Sequence, residues 1–490
     1  MTKLCVPVYG REARKMADTA LTSGADLVEI RADLIPNADA QILDEEFSGI
    51  LNKAIITLRS REEGGDSTLS KKEREEWFER AIDLRPLFID LELETDRKLI
   101  DRLSGEKRRI IVSKHFLSRW SGKIVGETLS ECCKLGGIGK VAVKVENAMQ
   151  SVDILLHVRE LGLSNFAFMT MGEGGEISRA CASYIGSQLT YCALSENRKV
   201  APGQLDLKTQ KRIEGKGSII VGLIGHPLGH TFSPAMQNAA FEALGIPGAY
   251  LKFDIPDARR VVDFIKGSVR LGIRGFNVTI PYKEIAISAL ENIDNDARRA
   301  GAVNTICAET DGTLKGYNTD IFGFSEAVRN SGYNPRNKRA LIVGAGGASR
   351  AAIIGLWKMG AKIVIANRTP ERAEQLVRSM RVFIKTLPLA ALDEEKPFSL
   401  IVNATPVGMR GFEGEQIIPE NLVAKADAVM DMVYNPPDTP LVTLARKHKV
   451  KTIPGLDMLL YQGAKAFEIW SGKKPPVEIM REKLLEAIGS

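Results

Sequence analysis

The chain has 490 residues, 44% hydrophobic and 26% charged, with a net charge of +6. That length exceeds one ordinary hydrophobic core, and the composition is that of a folded multi-domain chain, not a disordered or fibrous one. No Lys/Arg block marks a nucleic-acid surface and no apolar run reaches the length of a membrane span. The opening MTKLCVPVYG lacks the apolar stretch and cleavage site of a secretory leader, so a cytoplasmic protein with small anionic ligands and no nucleic-acid or membrane partner is expected. A homodimer is compatible with the sequence and not required by it.

In chain order, LCVPV, DLVEIR, AIITLR, LFIDLEL, RIIVSKH, KVAVKV, FAFMT and LTYCAL alternate with helical patterns. Eight strands alternating with helices within about 200 residues predict a closed (β/α)8 TIM barrel, whose chemistry sits where the strands end. Charged residues fall there: Glu29 and Arg31, Arg59, His115, Lys140 and Lys144. Period-2 alternation puts them on the face shared by Leu27, Thr57 and Ser113. Asp90 and Glu92 read as network residues of the barrel interior. The polar segment LDLKTQKRIEGKGS, Leu205 to Ser218, has the composition of a surface connection, with a boundary near Gly215.

A second α/β region opens with SIIVGLIG and the loop IGHPLGHTFSP, and KRALIVGAGGASRAA then begins a nucleotide-binding pattern. Gly344, Gly346 and Gly347, with Ala348 opening the helix, would let the backbone turn tightly and approach a pyrophosphate at a helix N-terminus. The next strand ends in Asn367, Arg368 and Thr369, with Arg372 one turn on, where a carboxylate would read a ribose hydroxyl. That set suits a 2′-phosphate, so NADP(H) is the expected cofactor. His226 and His230 are four apart but flank Pro227 and Gly229, the six cysteines form no CxxC pair, and no metal is expected.

A neutral lysine can activate a carbonyl as an iminium, and Arg31, Arg59 and Arg179 could both depress that lysine's pKa and hold a substrate carboxylate. His115 suits a proton shuttle. In the second region, Lys283 and Asp320 could pass a proton to or from an alcohol oxygen while hydride moves to nicotinamide.

From Leu4 to Gln204 the stretches VEIRADL, TLRSREEGG, FIDLELE, VSKHF, KVAVK, MGEGGEISR, YIGSQLTY and APGQ resemble the type I 3-dehydroquinate dehydratases. The resemblance implies a Schiff base at Lys140, His115 as general base and then acid with Glu63 supporting it, and substrate binding by Glu29, Arg31, Arg59, Arg179 and Gln204. Val200 stands where that family usually has serine. Lys144 is the rival lysine, nearer the strand end, but the Lys-Val-Ala-Val context favours Lys140.

From Val221 to about Gln462, GFNVTIPYK, AGAVNT, GYNTD, VGAGGASRA, ANRT, NATPVGM, DMVYNP and GLDMLLYQ resemble shikimate dehydrogenase. This implies that Thr231 and Ser233 hold a substrate carboxylate and that Thr279, Asn304, Asp320 and Gln462 bind ring hydroxyls. Lys283 and Asp320 would be the catalytic pair, and Tyr434 a wall of the cleft. The expected architecture is a barrel over 1–214, an α/β substrate domain over 215–335, a Rossmann domain over 336–455 and C-terminal helices over 456–490 returning to the substrate domain. The product of the first resemblance, 3-dehydroshikimate, is the substrate of the second. The alternatives are a catabolic quinate or shikimate oxidiser using NAD, and a non-catalytic ligand sensor assembled from the same domains.

Overall fold

The computed structural model describes residues 2–214, 217–229, 231–412, 414 and 416–489; the expected boundary residue Gly215 and His230 of the histidine pair lie outside the described residues. The chain divides into two compact units, Met1–Ile220 with Pro247–Ile273, and Val221–Ile246 with Arg274–Ser490.

In the first unit, strands β1 (Lys3–Val8), β2 (Leu27–Arg31), β3 (Ala54–Thr57), β4 (Phe88–Glu92), β5 (Ile110–Phe116), β6 (Ile138–Lys144), β7 (Phe166–Met171) and β8 (Leu189–Tyr191) match the eight expected runs. They pair in the order β7-β6-β5-β4-β3-β2-β1-β8, with helices between them. The ring nearly closes. At the seam, Gln188 N–H donates to Phe166 C=O at 2.7 Å, and the Ser187 hydroxyl accepts from Phe168 N–H at 3.1 Å, so a side chain stands in for part of a ladder. Parallel strands covered on both faces favour the β-branched and apolar residues found here. Register sets Thr57 against Asp90 and Ser113 against Lys140, bringing polar side chains of adjoining strands level inside the ring.

Two further six-stranded sheets follow. One, in the order β10-β9-β11-β13-β14-β12, comprises β9 (Ile219–Gly225), β10 (Gly248–Asp254), β11 (Ile273–Val278), β12 (Asn292–Ile293), β13 (Thr305–Ala308) and β14 (Leu314–Tyr317). The other comprises β15 (Arg339–Val343), β16 (Lys362–Asn367), β17 (Lys385–Pro388), β18 (Leu400–Asn403), β19 (Ala428–Asp431) and β20 (Lys451–Pro454). Its order, β17-β16-β15-β18-β19-β20, all parallel, is the doubly wound order that opens a ligand crevice beside the first strand. Apolar clusters cover both of its faces, one centred on Ile342 and Val402, the other on Leu341 and Ile401. The helix Gly455–Ser471 packs on the helix Ser233–Ala243, with Phe467 4.9 Å from Phe241 and the Gly463 carbonyl accepting from Gln237 at 2.9 Å. Trp470 Nε1 donates to the Ile306 carbonyl of β13 at 2.9 Å.

One expectation is corrected. The segment from Leu205 to Ser218 is not simply a surface connection: Leu207–Arg212 is a helix capped by Asp206, whose carboxylate accepts from Thr209 N–H at 2.9 Å. Leu205, Leu207 and Ile213 are buried, and Gln210 donates to the Arg179 carbonyl at 3.0 Å. Polar and charged residues make the segment read as a surface connection, but these few apolar positions decide where it lies.

A buried ion cluster supports the loop after β3. Arg74, 1% exposed, donates to both oxygens of Asp96, at 3.1 and 2.8 Å, and to the Leu58 carbonyl at 2.7 Å. Asp96 accepts from Glu92 N–H at 2.9 Å, and Glu92 Oε1 accepts from Ser60 N–H at 2.8 Å. Removing the cation would leave Asp96 buried without its ionic partner and Glu92 dependent on Arg59 alone. Arg74→Met should therefore destabilise the barrel by about 3–5 kcal/mol, measured as a shift in its urea unfolding transition.

Candidate active sites

At the mouth of the barrel, Lys140 on β6 is 3% exposed. Its Nζ donates to Glu29 Oε1 on β2 at 3.0 Å and to Asp90 Oδ2 on β4 at 2.8 Å, and it lies 4.2 Å from the centre of the Tyr191 ring on β8. Lys144, the rival, is exposed at the end of the same strand, where its carbonyl accepts from Trp120 Nε1 at 2.8 Å. Strand geometry explains the difference: four residues along β6 carry the side chain out of the ring.

Arg59 joins the cluster from the loop after β3. It donates to Asp90 Oδ1 and Ser113 Oγ at 2.9 Å each, to Glu92 at 3.3 Å and to Glu63 at 3.5 Å. Burial opposes the charge of Arg59, but Asp90, Glu92, Glu63 and Glu29 outweigh it and raise its pKa above the ordinary value. Burial likewise opposes the Asp90 carboxylate, yet Arg59 and Lys140 hold it well below the usual carboxylate range.

His115, on β5, is anchored by Glu63. One oxygen, Oε2, accepts from His115 N–H at 3.0 Å and lies 3.0 Å from Nδ1. That contact orients the ring and leaves Nε2 for another partner. Glu63 reaches this place because the chain turns at Gly64, φ +83°, while at Gly65 a Cβ would collide with the Arg59 carbonyl. Burial, then the charges of Arg59 and Lys140, push His115 well below its ordinary pKa, and burial raises Glu63.

The arginines are not gathered against the lysine as expected. The direct ionic contacts of Lys140 are carboxylates, and Arg59 reaches it only through Asp90. Arg31 is clamped by Asp33 through two bonds, 2.9 and 2.7 Å. Arg179 donates to the backbone carbonyls of Thr170 and, at 3.0 Å, Gly175, while among the described residues its Nε has no partner. Burial pushes Arg179 down to about 10. Gln204 uses its side-chain oxygen to hold the preceding turn, accepting from Val200 N–H at 2.8 Å. Sequence reading placed Asp90 in the interior network but did not set it on Lys140, and it gave Ser113 and Tyr191 no contact there. Acids two apart in an otherwise apolar strand, at Asp90 and Glu92, are the signal that points to such partners.

In the second unit, Lys283 Nζ meets Asp320 Oδ2 at 2.5 Å, with side chains 21% and 11% exposed. Asp320 stands in the first turn of the helix Thr319–Asn330, where the N-terminal dipole favours an acid. Asn304 Oδ1 accepts from Thr319 N–H at 2.7 Å and from Thr319 Oγ1 at 3.2 Å, and that hydroxyl lies 3.4 Å from Gln462 Oε1. Neutral hydrogen bonds thus tie together Asn304 just before β13, the start of the helix Thr319–Asn330 and the helix Gly455–Ser471. Thr231 Oγ1 lies 3.4 Å from Ser233 N–H, and between them Phe232 meets Tyr434 edge-on at 6.3 Å. Thr279 donates its N–H to Ile224 at 2.9 Å, beside Gly225.

The glycine turn after β15 fits a dinucleotide. Gly344 has φ +118° and a Cβ there would come within 2.9 Å of the Ala404 carbonyl, whereas space around Gly346 is open. The helix Gly347–Lys358, starting with Ala348 in its first turn, points its N-terminus at that opening. Asn367 Nδ2 donates to the Thr369 carbonyl at 2.8 Å, shaping the turn that exposes Arg368 and Arg372; among the described residues neither arginine has an ion pair. No acid ends β16.

Among the described residues no group of three or more His, Cys, Asp or Glu is placed to hold a metal, and no helix is long and apolar enough to cross a membrane.

Residues 4–213 match the family model of type I 3-dehydroquinase. Residues 223–306 match the shikimate dehydrogenase substrate binding domain, 326–406 shikimate/quinate 5-dehydrogenase, and 455–485 the shikimate 5′-dehydrogenase C-terminal domain. A chloroplastic bifunctional 3-dehydroquinate dehydratase/shikimate dehydrogenase of Arabidopsis thaliana is 32% identical over 514 residues, spanning 97% of this chain and 83% of the relative. A shikimate dehydrogenase (NADP(+)) of Archaeoglobus fulgidus is 43% identical over 274 residues, 55% of this chain and 99% of its own. A shikimate dehydrogenase solved in complex with NADP+ is 41% identical, with a TM-score of 0.51 over 55% of this chain and 96% of that one.

His115 supplies a prediction from its burial. Its pKa is depressed on folding, so the unfolded chain binds the proton more readily. The stability of the neutral buried imidazole is present above the ordinary histidine value, near about 6.5, and is lost as pH falls below it. Urea midpoints at pH 7.5 and 5.5 should show the wild type losing up to about 1.4 kcal/mol more than His115→Gln.

Proposed function

We propose that this chain, which belongs to the family of bifunctional 3-dehydroquinate dehydratase/shikimate dehydrogenases, carries out two consecutive steps, dehydrating 3-dehydroquinate and then reducing 3-dehydroshikimate to shikimate with NADPH. The observation that carries the reading is the presence in one polypeptide of the Lys140/His115/Glu63 cluster and of the Lys283/Asp320 pair beside a dinucleotide turn.

In the barrel, Lys140 attacks the substrate carbonyl and the adduct loses water to an iminium. Attack needs the free amine, and Glu29, within hydrogen-bond reach of Nζ, is placed to take its proton while Asp90 holds the amine in position. The iminium acidifies the neighbouring carbon, His115 removes that carbon's proton, and the substrate hydroxyl leaves as water with the proton His115 returns. Water then hydrolyses the imine and frees Lys140. Glu63 holds the imidazole in the required tautomer. Arg31, Arg59, Arg179, Glu29 and Gln204 line the substrate's place, and Val200 supplies no hydroxyl to it.

In the second unit, Thr231 and Ser233 receive the substrate carboxylate, Thr279, Asn304, Asp320 and Gln462 its ring hydroxyls, and Tyr434 forms a wall of the cleft. NADPH, when bound, supplies the hydride. Lys283 delivers a proton to the developing alkoxide while Asp320 keeps its ammonium in place. Gly344, Gly346, Gly347 and Ala348 make room for the pyrophosphate, and Asn367, Arg368, Thr369 and Arg372 take the 2′-phosphate. The missing acid after β16 and the two unpaired arginines favour this over the NAD-linked oxidiser, and the retained lysines, His115 and Asp320 favour an enzyme over a sensor.

We assign residues 1–214 to the dehydratase, 215–335 to the substrate domain and 336–455 to the nucleotide domain, with 456–490 serving the substrate domain. A cytoplasmic setting is supported by the free cysteines, four of them buried.

Borohydride with 3-dehydroquinate should inactivate the dehydratase and leave the adduct on the peptide containing Lys140; an adduct on Lys144, or none, would overturn the assignment. Arg368→Ala with Arg372→Ala should raise the KM for NADPH by about 10-fold or more, the scale of losing charge-assisted bonds to phosphate, and leave that for NADH unchanged. Equal losses with both cofactors would count against a 2′-phosphate site.

A further inference from the structure

Lys114 immediately precedes His115 on β5, and the reaction described above gives it no part. Its side chain is 17% exposed, with Nζ 3.4 Å from Glu63 Oε1 and 2.6 Å from Glu94 Oε2. Glu63 divides its two oxygens. Oε2 holds both His115 contacts at 3.0 Å, whereas Oε1 is buried and, among the described residues, faces the Lys114 ammonium at 3.4 Å without a well-formed hydrogen bond.

The remaining charges around this pair are few. Arg59 lies 3.5 Å from Glu63 Oε2 but is shared with Asp90, Glu92 and Ser113. Glu94 offsets Lys114 from the outside, and at 71% side-chain exposure it is screened by water. His115 also feels Arg59, Lys140, Asp90 and Glu29. A carboxylate whose side chain is 3% exposed is driven by burial toward its neutral form, and a neutral Glu63 would accept poorly from imidazole Nδ1–H.

We propose that Lys114 is a positioning residue for the dehydration: its charge at Oε1 keeps Glu63 ionised, and Glu63 through Oε2 keeps the His115 ring and tautomer ready to accept a proton at Nε2. The inference rests on the assignment of His115 as the proton carrier. It extends the supporting set from a carboxylate to a Lys114–Glu63–His115 relay of charge, without Lys114 touching substrate.

The test is the pH profile of dehydratase kcat/KM in the full chain. Lys114→Gln removes the cation at Oε1, which makes Glu63 easier to protonate and loosens its hold on the His115 ring, so the acid limb should move upward. A displacement of about one pH unit corresponds to an about tenfold loss on that limb, with the alkaline plateau changed far less. Lys114→Arg should restore the wild-type limb, and in a Glu63→Gln background Lys114→Gln should displace nothing further. A Lys114→Gln profile superimposed on the wild type, or an equal displacement without Glu63, would overturn the proposal. His115→Ala, assayed alongside, separates the two levels. Lost turnover there with an unmoved Lys114→Gln limb sinks only the role of Lys114, whereas full turnover in His115→Ala sinks the assignment beneath it.

Discussion

Charge can be buried in a protein only if it is matched, and the mouth of the barrel is built around that constraint. Lys140, Arg59 and Arg74 meet Glu29, Asp90, Glu92, Glu63 and Asp96 in side chains that are almost fully enclosed. Taking each ion out of water costs several kcal/mol even after relaxation, and the cost is offset only by good geometry to an opposite charge. The result is a network in which no member can be moved alone. Asp90 holds Lys140 on one oxygen and Arg59 on the other, Arg59 reaches Glu63, and Glu63 fixes His115. The chemistry and the fold of this unit therefore rest on the same bonds.

The second unit solves the equivalent problem differently. Its Lys283/Asp320 pair is partly exposed, so desolvation is smaller and fewer partners are needed. Placement comes instead from neutral hydrogen bonds, Asn304 to Thr319 and Thr319 to Gln462, and from glycines that permit close approach, such as Gly323 against the Met458 carbonyl. A cleft that must admit both a cofactor and a substrate is better served by a pair that water can reach. The barrel site handles one substrate and can enclose its lysine more fully.

Much of this was legible before any coordinates. Eight runs of β-branched and apolar residues marked the barrel strands, and the glycine turn after LIV with its basic follow-on marked the nucleotide domain, because period and spacing are local properties. Which groups face one another is not local. The setting of Asp90 on Lys140 depends on the register of β4, β5 and β6, and the Tyr191 ring reaches the lysine from the far side of the seam. Family resemblance led to Lys140 over Lys144; the first is buried in the charge network and the second is exposed at the strand end. The helix Leu207–Arg212 was hidden by the polar composition of its segment, since buried Leu207, with Leu205 and Ile213 on either side of the helix, decides where it lies. Lys114 was passed over because its neighbour His115 carried the more familiar chemistry.

The central claim is that one chain performs both steps. The most direct measurement supplies purified protein with 3-dehydroquinate and NADPH alone and follows nicotinamide absorbance together with the organic product. The account predicts substrate-dependent NADPH oxidation with shikimate accumulating in equal amount. NADPH consumption only when 3-dehydroshikimate is supplied would contradict it, leaving a working dehydrogenase joined to a barrel without its chemistry.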